Sequence, residues 1–464
     1  MANPMQRDFT TGSIPKHVIY FSLPMFAGNI LQALYNTVDS VWVGQFLGKG
    51  ALGAVSVSFP LIMALLAMVM GLTMATTTLV AQYRGAGSEK MVRRTVSTSL
   101  LMLTAMGIIV SVLGVVFRYP LLKMIRTPED ILHHAANYFG IFMAGLLGMF
   151  LYNTLSAILR GLGDSHTPLK YMAVAAGLNV ALDPLMIFGV GPLPRMEIAG
   201  AALATVISQA VSAVLMWRWL THRTDLLPRG RSEWVWDRTL AGALVRIGFP
   251  AGLQQLAVSG AMLVVTFLIN QFGTDVTAAF GAASRLDQFA FMPAMSIGLA
   301  VSALVGQNLG ARKLDRVRST VYWSVLLGIG ITSLVSLVAI LWPTLLLVLF
   351  TDEPAVLAEG SRYLRIMGWA YIPFALMFIL SGVMRGAGDT VPAMVVTLLS
   401  LWGFRVPLAA YLSRSFGSTG IWLGIAISAF IGMLLQWGYY MTGRWQRRRL
   451  PSVPAGQEAA VQAN

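Results

Sequence analysis

The chain has 464 residues, 56% of them hydrophobic and 11% charged, with a mean hydropathy of +0.70. These values exclude a soluble globular protein and describe one embedded in a bilayer. The net charge of +14 has no folded soluble surface to gather on, which excludes nucleic-acid binding, and the lack of cysteine excludes disulfides and thiolate metal sites.

Apolar stretches of spanning length follow one another along nearly the whole chain. In order they fall near 17–40, 51–82, 93–117, 136–159, 168–190, 197–219, 241–272, 276–308, 319–348, 362–384, 391–412 and 420–442. The first carries Pro24 and Asp39, the fifth Asn179, Asp183 and Pro184, the sixth Thr205, the eighth Arg285, Asp287 and Pro293, and the eleventh Arg405. Pro60, Pro250 and Pro373 also lie inside spans, where the missing N–H loosens a helix. The first apolar stretch is too long, and lacks the small-residue cleavage site, for a removable leader.

The sequence is written twice. Arg160-Gly161-Leu162-Gly163-Asp164 returns as Arg385-Gly386-Ala387-Gly388-Asp389, 225 positions later (385 − 160). The same offset carries Gln82, Gly85, Ala86, Val92 and Arg93 onto Gln307, Gly310, Ala311, Val317 and Arg318. Pro24 and Gln45-Phe46 meet Pro250 and Gln271-Phe272 at 226. The expected fold is therefore an all-α integral membrane protein of about twelve transmembrane helices in two six-helix bundles. Six is even, so both halves enter from the same side and a pseudo-two-fold axis runs along the membrane normal. The expected division is an N-terminal lobe over 1–225, a cytoplasmic linker over 226–239, a C-terminal lobe over 240–443 and a cytoplasmic tail over 444–464. A cleft between the halves is a candidate substrate path.

Positive charge sets the expected orientation. With both termini inside, 22 of the 33 Lys and Arg fall on the cytoplasmic side and six on the other, five lying in or at the ends of spans. Arg444, Arg447, Arg448 and Arg449 then face anionic lipid headgroups. No nucleotide-binding P-loop or zinc-protease helix is present, and the five His fall in tails, loops or span ends. The chain reads as no enzyme and carries no cofactor; uphill transport would draw on an ion gradient, one charge falling through 100 mV being worth about 2.3 kcal/mol.

Ionisable groups inside the bilayer cost roughly 2.5–3.5 kcal/mol each at its centre, so they need a reason. Asp39 stands about 33 Å along the first span and Asp183 about 22 Å along the fifth, on the same side, at 1.5 Å per residue. Asn179 precedes Asp183 by one turn and shares its face, and Thr205 lies roughly 12 Å down the descending sixth span. Four oxygen-bearing side chains at one depth make a site for a proton or a hard cation such as Na⁺. The alternative has Asp39 bonding the end of its helix and Asp183 capping a break at Pro184. The repeat duplicates neither acid: Val265 stands at 39 + 226, and Val406-Pro407 aligns with Asp183-Pro184. Arg285 and Asp287, two apart, do not face one another on a helix, so each needs another partner. They line a cavity or join helices.

With these residues in view, the chain resembles the multidrug and toxic compound extrusion (MATE) family along essentially its whole length. The resemblance is carried by Leu34-Tyr35-Asn36-Thr37-Val38-Asp39-Ser40-Val41-Trp42-Val43-Gly44, by the paired Arg-Gly-x-Gly-Asp motifs with Pro168 and Pro392 behind them, and by Asn179-Val180-Ala181-Leu182-Asp183-Pro184. Gly200 to Thr205 and Ala283 to Phe289 add to it. It looks most like the DinF-type branch. That resemblance implies Asp39 and Asp183 as coupling acids, Asn179 and Thr205 as oxygen partners, and Tyr35 and Asn153 as neighbours in the polar network. It implies a monomeric bacterial inner-membrane antiporter exchanging H⁺ or Na⁺ for amphipathic organic cations. The acids of the NorM-type second lobe are missing from Gln254 to Gly260 and from Phe374 to Val383. The competing readings are a flippase for a lipid-linked intermediate, which calls for a more basic cavity than Arg285 and Arg405 supply, and a membrane scaffold that moves nothing.

Overall fold

The computed structural model describes residues 7–46, 48–189, 194–228, 230 and 233–447. The tail residues 448–464, with Arg448 and Arg449, and the linker residues Arg229, Arg231 and Ser232 lie outside the described residues. Helices follow in the order α1 Ile14–Phe46, α2 Gly48–Gly85, α3 Glu89–Val116, α4 Arg118–Met124, α5 Glu129–Ala144, α6 Leu146–Gly161, α7 His166–Phe188 and α8 Glu197–Arg223. Then come α9 Arg238–Asn270, α10 Thr274–Gly310, α11 Leu314–Leu341, α12 Pro343–Leu347, α13 Pro354–Gly386, α14 Thr390–Leu398, α15 Val406–Phe416 and α16 Ser418–Met441. Among the described residues eleven helices are long and apolar enough to cross a membrane, and α5 with α6, bent by 45°, counts as a twelfth when the pair is taken as one span. The chain is an all-α, multi-pass membrane protein.

Two spans are interrupted by breaks in the regular helix. The fourth breaks at Gly145, where an added Cβ would fall 2.0 Å from Val206 of α8. The eleventh contains a π-helical turn, Leu399–Arg405, between α14 and α15. Pro407 follows directly and has no N–H to return to the carbonyl of Gly403, so the regular ladder is lost there. The ninth was expected to run to 348; it ends at Leu341, and the remainder forms the short helix α12.

The duplicated motif does the same work in both copies. Gly161 lets α6 press on α2, a Cβ there meeting Val80 at 2.8 Å and the Thr77 carbonyl at 2.9 Å. At the same offset, Gly386 of α13 presses on Val305 at 3.0 Å and on the Ser302 carbonyl at 2.5 Å of α10. The second glycine of each motif, Gly163 at φ +88° and Gly388 at φ +73°, takes the left-handed conformation that turns the chain into the next helix. Asp164 then accepts the N–H groups of His166 and Thr167 at 3.0 and 2.9 Å, capping α7.

Packing sorts the chain into two compact units, Met1–Asp8 with Ala27–Gly248, and Phe9–Phe26 with Phe249–Asn464. This differs from the lobe boundaries expected from the repeat, for an identifiable reason. In the second unit, Arg316 donates to the carbonyls of Phe9, Thr11 and Gly12 at 2.8–3.0 Å, and Lys313 to that of Thr10 at 2.9 Å. In the first, Ser97 accepts the Val235 N–H at 2.8 Å, holding the segment that leads into α9. Membership changes hands at Phe26 and Gly248, each two residues from a helix-interior proline, Pro24 and Pro250.

In lipid, helices associate through close approach of small residues, since apolar side chains are as well solvated by lipid as by one another. One such crossing joins α13 to α10, where a Cβ on Gly382 would lie 2.2 Å from the Gly298 carbonyl oxygen. Gly281 of α10 has nothing within 4 Å of that position. Gly382→Ala is expected to cost about 1–3 kcal/mol through forced separation of the helices, read as a lowered thermal midpoint in detergent. Gly281→Ala should hold or slightly raise that midpoint; equal losses at both sites would refute the packing argument.

Candidate functional site

The first unit gathers the expected polar residues from three helices. Tyr35 and Asp39 lie one turn apart on α1, Asn179 and Asp183 one turn apart on α7, and Thr205 on α8. The Asn179 amide donates to Asp183 Oδ1 at 3.1 Å and reaches Thr205 Oγ1 at 3.4 Å. Asp39 and Asp183 are close enough to act on each other electrostatically, and both act on Tyr35, which lies beside Thr205. Asn179 and Asp183 are wholly buried and Asp39 is half-buried.

Four oxygens in this group have no hydrogen-bond partner: the Tyr35 hydroxyl, Asp39 Oδ1, Asn179 Oδ1 and Asp183 Oδ2. The usual way out for a hydroxyl in a helix is a bond to its own i−4 carbonyl, as Thr154 makes with Phe150 at 2.7 Å. Carboxylate oxygens have no such recourse, because they only accept. A proton or a hard cation is the natural complement of such a set. Among the described residues no group of three or more His, Cys, Asp or Glu is placed to hold a metal ion, so a softer transition metal has no ligand set.

The alternatives left open by the sequence are answered by helix continuity. Asp39 precedes the end of α1 at Phe46 by two turns, so it does not finish that helix. α7 runs through Pro184 to Phe188, so Asp183 caps no break. Asn153 donates to the Met149 carbonyl of its own helix at 2.8 Å. Tyr138 of α5 was missed by sequence reading: it is buried and within electrostatic reach of Asp39, Tyr35 and Asp183. A tyrosine near a span end is common enough at membrane interfaces to carry no signal by itself.

The second unit treats its buried acid in the opposite way. Asp287 accepts from the hydroxyls of Tyr363 and, at 2.6 Å, Tyr371, so both its oxygens are satisfied. The two phenols are wedged by Phe280 and Trp422 against Tyr363 and by Phe291 against Tyr371. Arg285 is exposed. Arg405 donates to Ser428 at 3.0 Å and lies over the Phe374 ring at 5.3 Å.

Fold and site together describe a multi-pass membrane protein with a duplicated helical bundle and an oxygen-lined cluster in one copy. A profile of the MatE family matches residues 24–185 and again 250–411, two copies offset by the same 226 positions as Pro24 and Pro250. The chain belongs to the MatE family, the multidrug and toxic compound extrusion transporters. It is 34% identical over 444 residues to the probable multidrug resistance protein YpnP of Bacillus subtilis, covering 96% of this chain and 98% of that one. It is 28% identical over 415 residues to a FAD transporter of Shewanella oneidensis, covering 89% and 92%. A crystal structure of MATE in the straight conformation superposes with a TM-score of 0.88 at 23% identity, over 96% of this chain and all of that one.

Removing the acceptor between the two tyrosines should be costly. Asp287→Ala strands two buried hydroxyls at about 1–3 kcal/mol each, so the thermal midpoint should drop well below that of Asp287→Asn, which retains an acceptor. Equal midpoints for the two variants would contradict the hydrogen bonding described.

Proposed function

We propose that this protein is a secondary active antiporter that exports amphipathic, mostly cationic organic compounds in exchange for H⁺ or Na⁺. In this reading it sits in a bacterial inner membrane with both termini cytoplasmic, the orientation favoured by its positive charge. The observation that carries the reading is the set of buried oxygens on α1 and α7 that lack hydrogen-bond partners. The multidrug resistance name of the Bacillus relative supports the cargo class.

The residues divide the work. Asp39 and Asp183 bind the coupling ion, and with it their combined charge falls. Asn179 holds Asp183 in place and leaves its own carbonyl oxygen for the ion; Tyr35 and Thr205 complete the oxygen set. An ion drawn to oxygens on both α1 and α7 favours the arrangement in which those helices converge, and the proline-loosened α1 can follow. A ligand shifts such an equilibrium only by binding its two states unequally, and the presence or absence of convergent oxygens supplies that inequality. H⁺ and Na⁺ would compete for the pair, so a Na⁺-coupled transporter would bind Na⁺ more weakly as the pH falls. A lipid-linked anion as cargo has less support, since Arg405 is already engaged by Ser428 and Phe374.

The test is efflux of an ethidium-like dye from proteoliposomes under independently imposed pH and Na⁺ gradients. One charge moving through 100 mV sustains a concentration ratio of about fifty. Wild type is expected to respond to one of the two gradients, and Asp39→Asn and Asp183→Asn to lose that response while remaining folded. Full gradient-sensitive efflux in both variants would remove the mechanism.

A further inference from the structure

A separate cavity of about 460 Å³ opens in the second unit, where α12 leads into α13. Its apolar wall is Leu357 and Ile366, and its polar wall is Thr344, Ser361, Arg362 and Arg365. Arg362 and Arg365 are three apart on α13, so both guanidinium groups project from one face. Thr344 and Ser361, both lining the cavity, share a hydrogen bond at 3.2 Å, and whichever hydroxyl accepts it keeps its own proton to donate outward.

The charge balance there is uneven. Glu359, one turn before Arg362 to Arg365, is committed elsewhere: Ser418 and Trp422 donate to its Oε1 at 2.5 and 3.0 Å, and Arg362 to its Oε2 at 3.0 Å. Arg362 also reaches Thr419 at 3.4 Å. Arg365 makes no ion pair among the described residues and is exposed. Of the two guanidinium groups only that of Arg362 is paired among the described residues, with a carboxylate already bound on its far side. Beside the lining residues in the chain, Trp342, Leu345 and Leu349 around α12, and Trp369 one turn beyond Arg365, are 54%, 69%, 78% and 67% exposed. Exposed tryptophan in a membrane protein marks headgroup depth, with acyl chains on one side and water on the other.

We propose that this cavity is a binding site for the headgroup phosphate of an anionic phospholipid. Arg362 and Arg365 clasp the phosphodiester, for which guanidinium is the best-matched side chain. The free proton of the Thr344–Ser361 pair donates to it as well, and the acyl chains run over Leu345, Leu349 and Trp369. A net positive cavity favours phosphatidylglycerol over zwitterionic phosphatidylcholine. The site is independent of the coupling cluster, so it stands or falls without the antiport reading.

The experiment is native mass spectrometry of the full chain released from nanodiscs of mixed phosphatidylglycerol and phosphatidylcholine, with thermal melts to verify folding. Wild type should retain phosphatidylglycerol preferentially. Arg365→Gln should weaken that retention on the order of fivefold, and Arg362→Gln with Arg365→Gln further, at roughly 1 kcal/mol for each cation removed. Arg365→Lys should restore part of it, and Arg414→Gln, outside the cavity, should change nothing. Undiminished selective retention in folded Arg365→Gln would overturn the proposal. So would displacement of the lipid from wild type by millimolar inorganic phosphate, which would assign the site to a soluble anion.

Discussion

An oxygen buried in hydrocarbon must find a donor, a proton or a cation, because no water is at hand to take its place. The site depends on that constraint. Several buried hydroxyls bond back to their own helix, as those of Thr76, Thr95, Thr154, Ser296 and Thr320 do. In the cluster between α1 and α7, side-chain oxygens from both helices remain without such partners. The contrast with Asp287 makes the point within one chain. There two tyrosine hydroxyls complete the carboxylate, and the group joins helices α10 and α13 without calling for an ion. The same side-chain chemistry gives a structural tie in one unit and oxygens without partners in the other.

Duplication explains how such asymmetry arises on a symmetric scaffold. Gly161 and Gly386 make the same close approach to residues 225 positions apart, and Gly163 and Gly388 make the same turn. Those positions are fixed in both copies by packing and backbone geometry. Asp39 and Asp183 are fixed by neither, and where the repeat would place them the second copy has Val265 and Val406. The segments before α1 and α9 are held by Arg316 in one unit and by Ser97 in the other.

The spans were legible because hydrocarbon thickness imposes length and apolarity, and the duplicated bundle because its glycine motif is written out twice. The meeting of Asp39, Asn179, Asp183 and Thr205 could be read from depth along each helix and from one-turn spacing. The bend at Gly145 was not legible, since Val206, which crowds that glycine, lies on α8. The π-helical turn before Pro407 needed knowledge of which carbonyl loses its partner. Tyr138 joins the acids through tertiary placement alone, and Asn153 bonds the Met149 carbonyl of its own helix. Periodicity speaks for a helix face and says little about which neighbour that face meets.

If the two aspartates hold one ion between them, losing either should disable the pair as fully as losing both. The most direct measurement is therefore the initial rate of gradient-driven dye efflux in Asp39→Asn, Asp183→Asn and the double variant. A shared site predicts that the double variant matches the slower single variant to within about twofold. Losses that multiply, as independent sites require, would contradict the account.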